Sequence, residues 1–302
     1  MSIQVIGPEA EQAMRWQGLL TALEAGHRRP RAEIKDMFLQ RGNDTVLNRA
    51  AWIDGLGQLV KVATVFPGNA ARSEPTINGA VTLFDDVSGV LRALVDFHLV
   101  TKWKTAGDSL LSARRLARRD SRRILLVGAG TVARSMVDAY SSIFPDAEFT
   151  VWSRSRRSAE AMGLTVAEDL EAAVARADII CTATMSQEPL IKGDWLRPGQ
   201  HLDLIGAYRA DMREVDDTAM ARARVFVDSR ATTLHHIGEL IAPIRSGAIS
   251  ESDVIADFYD DPAVYSRRSE TEITIAKNGG GAHLDLMTAD YIAGVWSARQ
   301  PG

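Results

Sequence analysis

Apolar and polar residues follow two different rhythms along this chain, and the change falls near residue 120. In residues 8–25 the apolar positions recur at helical spacing and predict an amphipathic helix, followed at 26–31 by a basic, breaker-rich loop. Residues 37–40 and 45–52 predict short strands, and 57–66 a clearer one that Pro67, Gly68 and Asn69 terminate. Residues 78–84 and 91–96 are further strands joined by a turn at 85–89, and 100–117 read as a helix starting near Thr105. A polar, arginine-rich run at 118–123 then leads into an alternation of short apolar runs with helical stretches. The domain junction falls there, giving 1–119 and 120–279 as two domains.

The second half opens on Ile124, Leu125, Leu126 and Val127, followed by Gly128-Ala-Gly130-Thr131-Val132-Ala133. This is the strand, glycine turn and helix of a dinucleotide-binding fold. Gly128 permits the turn, Gly130 lets backbone approach a pyrophosphate, and Ala133 keeps helix and strand close. The first helical N–H groups, at Thr131 and Val132, supply anion binding. Strands at 148–152, 164–166, 177–184, 201–208, 224–229 and 270–277, separated by helices and loops, predict a parallel, doubly wound α/β sheet. Such sheets bind ligands beyond the carboxyl ends of their strands, so Thr182, Ala183 and Thr184 line the predicted cofactor cleft. An NAD-specific domain carries an acidic residue after its second strand. Here Trp152 is followed by Ser153, Arg154, Ser155, Arg156 and Arg157. Hydroxyls and guanidinium groups suit a 2′-phosphate, so NADP(H) is the expected cofactor and NAD(H) the alternative. The bland reading of the same residues is a basic surface loop.

Two residues stand out as candidate chemistry. Lys61 lies inside the β-branched and apolar run 57–66. Either it is an edge-strand lysine with its ammonium in solvent, the default from pattern alone, or it is a buried ammonium that needs an anion such as a substrate carboxylate. Asp228 closes the strand 224–229 on the ligand edge of the sheet, where an aspartate is either a helix N-cap or a catalytic acid. Asn278 is followed by three glycines, a ligand approach or a helix entry, and then by a C-terminal helix.

Composition bounds the rest. With 302 residues, 46% of them hydrophobic, the chain can build two cores, and a net charge of −4 excludes a general attraction to nucleic acid or anionic membrane. A single cysteine, Cys181, inside an apolar run fits a reducing compartment. No 18-residue apolar run or signal-peptide pattern is present, so the expectation is a cytoplasmic protein. His98, His235, His236 and His283 show no metal-ligand spacing, and no metal is expected. His235 and His236 read as a helix surface, and Trp16, Trp52, Trp195 and Trp296 as packing residues.

Taken as a set, the segments Leu99-Val-Thr-Lys-Trp-Lys-Thr-Ala-Gly-Asp-Ser109, the glycine turn, Trp152-Ser-Arg154, Leu202-Asp-Leu-Ile-Gly-Ala-Tyr-Arg-Ala-Asp-Met-Arg-Glu214, Val227-Asp-Ser-Arg230 and Lys277-Asn-Gly-Gly-Gly-Ala-His-Leu-Asp285 resemble the ornithine cyclodeaminase/mu-crystallin family. The match runs in order from about Lys61 to Ala289, and residues 1–50 match poorly. The resemblance implies a Rossmann-type domain inserted into an α+β substrate and dimerisation domain that the C-terminal segment 280–302 completes. It also implies a homodimer and a small imino- or amino-acid substrate. Lys61 falls on the family's active-site lysine and Asp228 on its active-site aspartate. Lys104-Thr105 stands where the family often has Arg-Thr, and lysine lacks the fork that grips a carboxylate at two points. Lys61 and Lys104 are therefore the expected carboxylate clamp. The expected cofactor contacts are Thr105, Gly128, Gly130, Thr131, Val132, Ser153, Arg154, Arg157, Thr182, Ala183, Thr184, Gly206 and Asn278.

Within the family the sequence is most similar to ketimine reductases. The expected reaction is NAD(P)H-dependent reduction of Δ1-pyrroline-2-carboxylate or Δ1-piperideine-2-carboxylate to L-proline or L-pipecolate, with Lys61 and Asp228 converging across the nicotinamide ring. An ornithine or lysine cyclodeaminase uses the same pair, but the missing acid after Trp152 counts against it. An alanine dehydrogenase or opine-type enzyme shares the hydride step. A non-catalytic NADPH-dependent binder does not need Lys61 and Asp228.

Overall fold

Strand pairing in the computed structural model, which describes residues 3–299, follows the two rhythms of the sequence. The chain divides into two units, Met1–Lys104 with Gly281–Gly302, and Thr105–Gly280.

The first unit opens with β1 (Gln4–Ile6), a 3-10 turn over Pro8–Ala13, and helix α1 (Trp16–His27). The helix expected over 8–25 is thus interrupted. The Tyr291 hydroxyl accepts from the Arg15 N–H at 2.8 Å and donates to the Arg15 carbonyl at 2.9 Å, holding that residue extended. Strands β2 (Glu33–Arg41), β3 (Asp44–Ile53), β4 (Gly57–Val65), β5 (Ile77–Phe84) and β6 (Leu91–Asp96) form an antiparallel meander, and β1 pairs in parallel with β6. The spatial order is β1-β6-β5-β4-β3-β2, so β4 is interior. Strand β2 is longer than its sequence signal because it is exposed on both faces and shows no period-two alternation.

Helix α2 (Phe97–Leu116) begins eight residues before Thr105. The Asp96 carboxylate accepts from the Leu99 N–H at 2.7 Å and starts the helix there. The first unit accordingly ends at Lys104 within α2, where the sequence placed the junction at 119.

The second unit contains β7 (Arg123–Val127), α3 (Thr131–Ser141), β8 (Glu148–Trp152), α4 (Arg156–Glu160), β9 (Thr165–Val166), α5 (Leu170–Arg176), β10 (Ile179–Thr182), β11 (His201–Leu204), α6 (Asp217–Arg222), β12 (Arg224–Val227), α7 (Arg230–Thr233), α8 (Gly238–Ser246), β13 (Val254–Ala256) and β14 (Thr274–Lys277). All eight strands are parallel, in the order β13-β12-β14-β11-β10-β7-β8-β9. Chain order reverses between β7 and β10, the point where a doubly wound sheet opens a crevice at its carboxyl edge. Leu125, Val127, Ile180, Leu202, Leu204, Val225, Val227 and Ile275 pack as one buried cluster.

The chain then returns to the first unit as α9 (Ala282–Ser297), which packs on α1 and on strands β3 and β4. Trp16 stacks on Trp103 as packing residues do, whereas Trp52 is half exposed and donates to Asp86. His235 and His236 are exposed on a turn after α7 and not on a helix.

Candidate active site

Alternation along β4 places Leu59, Lys61 and Ala63 on one buried face. Lys61 is 5% exposed on an interior strand, so the edge-strand reading of this lysine is overturned. Its ammonium donates to the Asp285 carboxylate at 2.8 Å and to the Thr101 hydroxyl at 2.7 Å, and it lies 4.7 Å from the centre of the Phe97 ring. An ammonium has three donors, and one remains uncommitted.

The charge balance around this group is positive. Burial pushes the Lys61 ammonium below its ordinary value of 10.5; Asp285 opposes that, and the neighbouring Lys104 and Arg49 charges add to it. Burial acts to raise the Asp285 carboxyl, but Lys104, Lys61 and Arg49 outweigh it and hold the group below its ordinary range. An acid held low against its own burial by three neighbouring cations marks a site with positive charge to spare. Lys104 is itself buried in the same unit. A small carboxylate would relieve the imbalance.

Asp285 was not singled out from sequence. The signal was present, since a carboxylate interrupts the apolar start of α9, but only the tertiary structure pairs it with a residue 224 positions away.

In the second unit Asp228 follows β12 and is fully buried. It is not the N-cap of α7, a position that Ser229 takes. One carboxylate oxygen accepts from the Ser229 N–H at 2.7 Å, the other from the Gly280 N–H at 2.8 Å. Burial raises this acid above its ordinary 3.8, partly offset by the N–H groups of Gly279, Gly280 and Ser229 and by the Lys277 ammonium. A carboxylate offers about four lone-pair sites, so capacity remains for another donor. The close packing needs glycine, because a Cβ at Gly279 would come within 2.7 Å of Thr233 and 3.2 Å of Asp228. The triple glycine is therefore more than a helix entry.

The nucleotide edge forms where the strand order reverses. Gly128 has φ +114°, and a Cβ there would sit 2.6 Å from the Ala183 carbonyl. At Gly130 a Cβ would meet nothing within 4 Å, so the ground before α3 is open, and no side chain caps that helix. Thr131 is exposed and Val132 half-buried in its first turn. Gly128, Ser153, Arg154 and Thr184 line one cavity of about 150 Å³ with Trp152, Met185 and Leu190. Arg156 is tied to Glu160 and Glu168, while the exposed Arg154 and Arg157 guanidinium groups form no ion pair or hydrogen bond among the described residues. The Asn278 side chain is buried with neither amide atom hydrogen-bonded, and such groups call for a partner. This donor set, open helix start and orphaned amide fit a dinucleotide.

Other expected contacts are differently engaged. Thr182 is fully buried, and the hydroxyls of Thr182 and Thr184 and the Gly206 N–H all donate to Glu214, a residue the sequence did not single out. Ala183 is half-buried beside them, and Thr105 is half-buried on α2. Lys277, Glu214 and Glu239 form a further buried charged group. Burial lowers the Lys277 ammonium against the pull of Glu214, Glu239, Asp228 and Asp108. Burial and the adjacent Glu214 push Glu239 up to about 7.

A sequence model of the ornithine cyclodeaminase/mu-crystallin family matches residues 53–300. The chain belongs to that family. The ornithine cyclodeaminase/mu-crystallin model starts in β3, consistent with the weak resemblance of residues 1–50. Among relatives, a Δ1-pyrroline-2-carboxylate reductase of Paracoccus denitrificans is 52% identical over 299 residues, covering 95% of each chain. A Δ1-pyrroline-2-carboxylate reductase of Colwellia psychrerythraea is 35% identical over 247 residues, covering 77% of this chain and 78% of its own. The structure of a Thermococcus litoralis Δ1-pyrroline-2-carboxylate reductase in complex with NADH and L-proline matches with a TM-score of 0.88, 24% identity and 98% coverage of both chains. This last likeness establishes that the two share a fold.

Proposed function

We propose that this chain is a ketimine reductase that reduces Δ1-pyrroline-2-carboxylate to L-proline with a nicotinamide cofactor, preferring NADPH. The observation that supports the reading is that the first unit holds a buried, positively biased lysine site and the second a buried strand-end aspartate, in a chain 52% identical to a reductase of this substrate. The bound cofactor supplies hydride to the C=N carbon. Lys61 directs its uncommitted N–H at the substrate carboxylate, and Lys104 adds charge to the same clamp, fixing the ring by orientation. Asp228 accepts from the iminium N–H and stabilises the positive charge that makes the carbon electrophilic. Hydride addition turns that iminium into the neutral secondary amine, and the proton already on nitrogen stays there. The buried thiol of Cys181 suits a reducing cytoplasm.

The test is direct. Protein, NADPH and Δ1-pyrroline-2-carboxylate are mixed and absorbance at the reduced nicotinamide band is followed. Oxidation of NADPH with formation of L-proline is expected. No oxidation with this or the six-membered imino acid, or ammonia release from ornithine without net cofactor change, overturns the reading.

NADPH preference rests on Arg154 and Arg157. Replacing Arg154 with serine removes a charge-assisted contact of roughly 1.5–3 kcal/mol, so the KM for NADPH should rise about tenfold to a hundredfold. The KM for NADH should move less than about threefold, because its ribose carries no phosphate. Equal changes for both cofactors would remove Arg154 from phosphate recognition.

The oligomeric reading is a homodimer. Edge strand β2 exposes Met37, Phe38 and Leu39 in succession, a row that a second copy would cover. Sedimentation should give a dimer for the native chain and a shift towards monomer for Phe38→Lys. A native monomer contradicts it.

A further inference from the structure

Glu214 lies beyond β11 and is completely buried. One of its carboxylate oxygens accepts from the Thr182 hydroxyl at 2.7 Å and from the N–H groups of Gly206 at 2.8 Å and Ala207 at 3.3 Å. The other accepts from the Thr184 N–H at 2.8 Å and the Thr184 hydroxyl at 2.7 Å. Thr182 ends β10 and Thr184 lies two residues beyond it, and Gly206 and Ala207 follow the carboxyl end of β11. A single side chain thus ties together two adjacent strand ends on the edge where a doubly wound sheet receives its ligand.

The Glu214 backbone is anchored as well. The N–H groups of Glu214 and Val215 donate to the Glu239 carboxylate at 2.7 and 3.0 Å, and the Glu214 carbonyl accepts from Leu190 and Ile191 at 2.9 and 3.1 Å. Lys277, a buried cation that interacts electrostatically with Glu214, donates to the Leu204 carbonyl at 2.8 Å, at the end of the same β11. The two strand ends approach so closely that a Cβ at Gly206 would lie 1.9 Å from the Thr184 carbonyl. Five donors converge on two oxygens, and only an ionised carboxylate accepts all of them. Glutamine would turn an N–H₂ group towards at least two of those donors. A buried carboxylate this costly is a poor choice for packing alone, because apolar side chains of similar volume fill space at lower cost.

We propose that Glu214 is a positioning residue for the nicotinamide cofactor. Its carboxylate sets the spacing of the β10 and β11 ends and thereby the orientation of the cofactor lying against them. The inference rests on the reductase reading given above, which places a nicotinamide at that edge. Thr182, Thr184 and Gly206 act on the cofactor through this clamp, with their donors turned inward.

The test compares Glu214→Gln and Glu214→Asp with the native chain. For Glu214→Gln, the NADPH dissociation constant, read from nicotinamide fluorescence, should rise about tenfold or more, and kcat should fall by at least about tenfold, as lost orientation does. The KM for the imino acid should stay within about threefold, since Glu214 does not touch that substrate. The deuterium isotope effect on kcat with 4-deuterated NADPH should increase, because hydride transfer becomes rate-limiting. Glu214→Asp keeps the charge and should recover part of the loss. A lowered melting temperature with unchanged cofactor affinity and unchanged isotope effect would make Glu214 purely structural and overturn the proposal. Should Glu214→Gln fail to fold, Thr182→Val and Thr184→Val each delete one hydroxyl donor and should shift the same two readouts in the same direction; no shift in either overturns the proposal. A native chain that binds NADPH but reduces no imino acid refutes the reductase reading alone, and the affinity measurement still decides the role of Glu214. A native chain that binds neither NADPH nor NADH refutes both.

Discussion

Replacing Asp228 with asparagine should lower kcat/KM for Δ1-pyrroline-2-carboxylate by about 10²–10³-fold, the range for removing one preorganised electrostatic contact to the reacting group. Asparagine keeps the shape but removes the negative charge that the iminium N–H requires. It also turns an N–H₂ group towards the N–H of either Ser229 or Gly280, which now donate at 2.7 and 2.8 Å. Cofactor affinity should be largely retained, since the role proposed for the Asp228 carboxylate is towards substrate charge. The pH profile offers an independent check. Burial lifts the Asp228 carboxyl above its ordinary 3.8, so the acid limb of kcat/KM against pH, which reports the free enzyme, should sit above that of an exposed aspartate. Asp228 must be ionised to stabilise the iminium, so activity falls as pH drops through that limb, and the limb should vanish in the asparagine variant. A variant with native kcat and an unchanged acid limb would refute a catalytic role.

Lys61→Met should cost more, because it damages stability and chemistry together. Lys61 and Asp285 form a buried pair at 2.8 Å with side-chain exposures of 6% and 0%. Removing one member of a buried pair leaves an uncompensated charge and costs about 3–5 kcal/mol. The second Asp285 carboxylate oxygen has no hydrogen-bond partner, and the Lys104 and Arg49 charges that remain offset the stranded carboxylate only in part, which places the loss at the lower end of that range. Thermal unfolding should therefore move well below that of the native chain. Adding Asp285→Asn removes the stranded charge and should restore much of the lost stability, but not turnover, because the carboxylate clamp is still missing. Turnover recovering with stability would reduce Lys61 to a structural ion pair.

The resemblance to pyrroline reductases was carried by local motifs, and the relatives bear it out. The glycine turn was equally legible, because Gly128 must adopt φ +114° against the Ala183 carbonyl and few other residues can. The strands Glu148–Trp152 and Leu91–Asp96 matched the sequence reading residue for residue, being short apolar runs with clear ends. Strands β1 and β13, with three residues each, carry no period to read. Helix α2 starts ahead of its sequence signal because its cap, Asp96, belongs to the preceding strand.

By itself the sequence determined the order of elements, the parallel dinucleotide half and the identity of Lys61 and Asp228 as candidates, since these depend on local periodicity and on short runs of special residues. Only the tertiary structure decided that Lys61 is buried on an interior strand and paired with Asp285, and that Thr182, Thr184 and Gly206 converge on Glu214. Strand order and the burial of charge arise from contacts between residues far apart in the chain, and no window of neighbouring residues encodes which lysine will meet which acid.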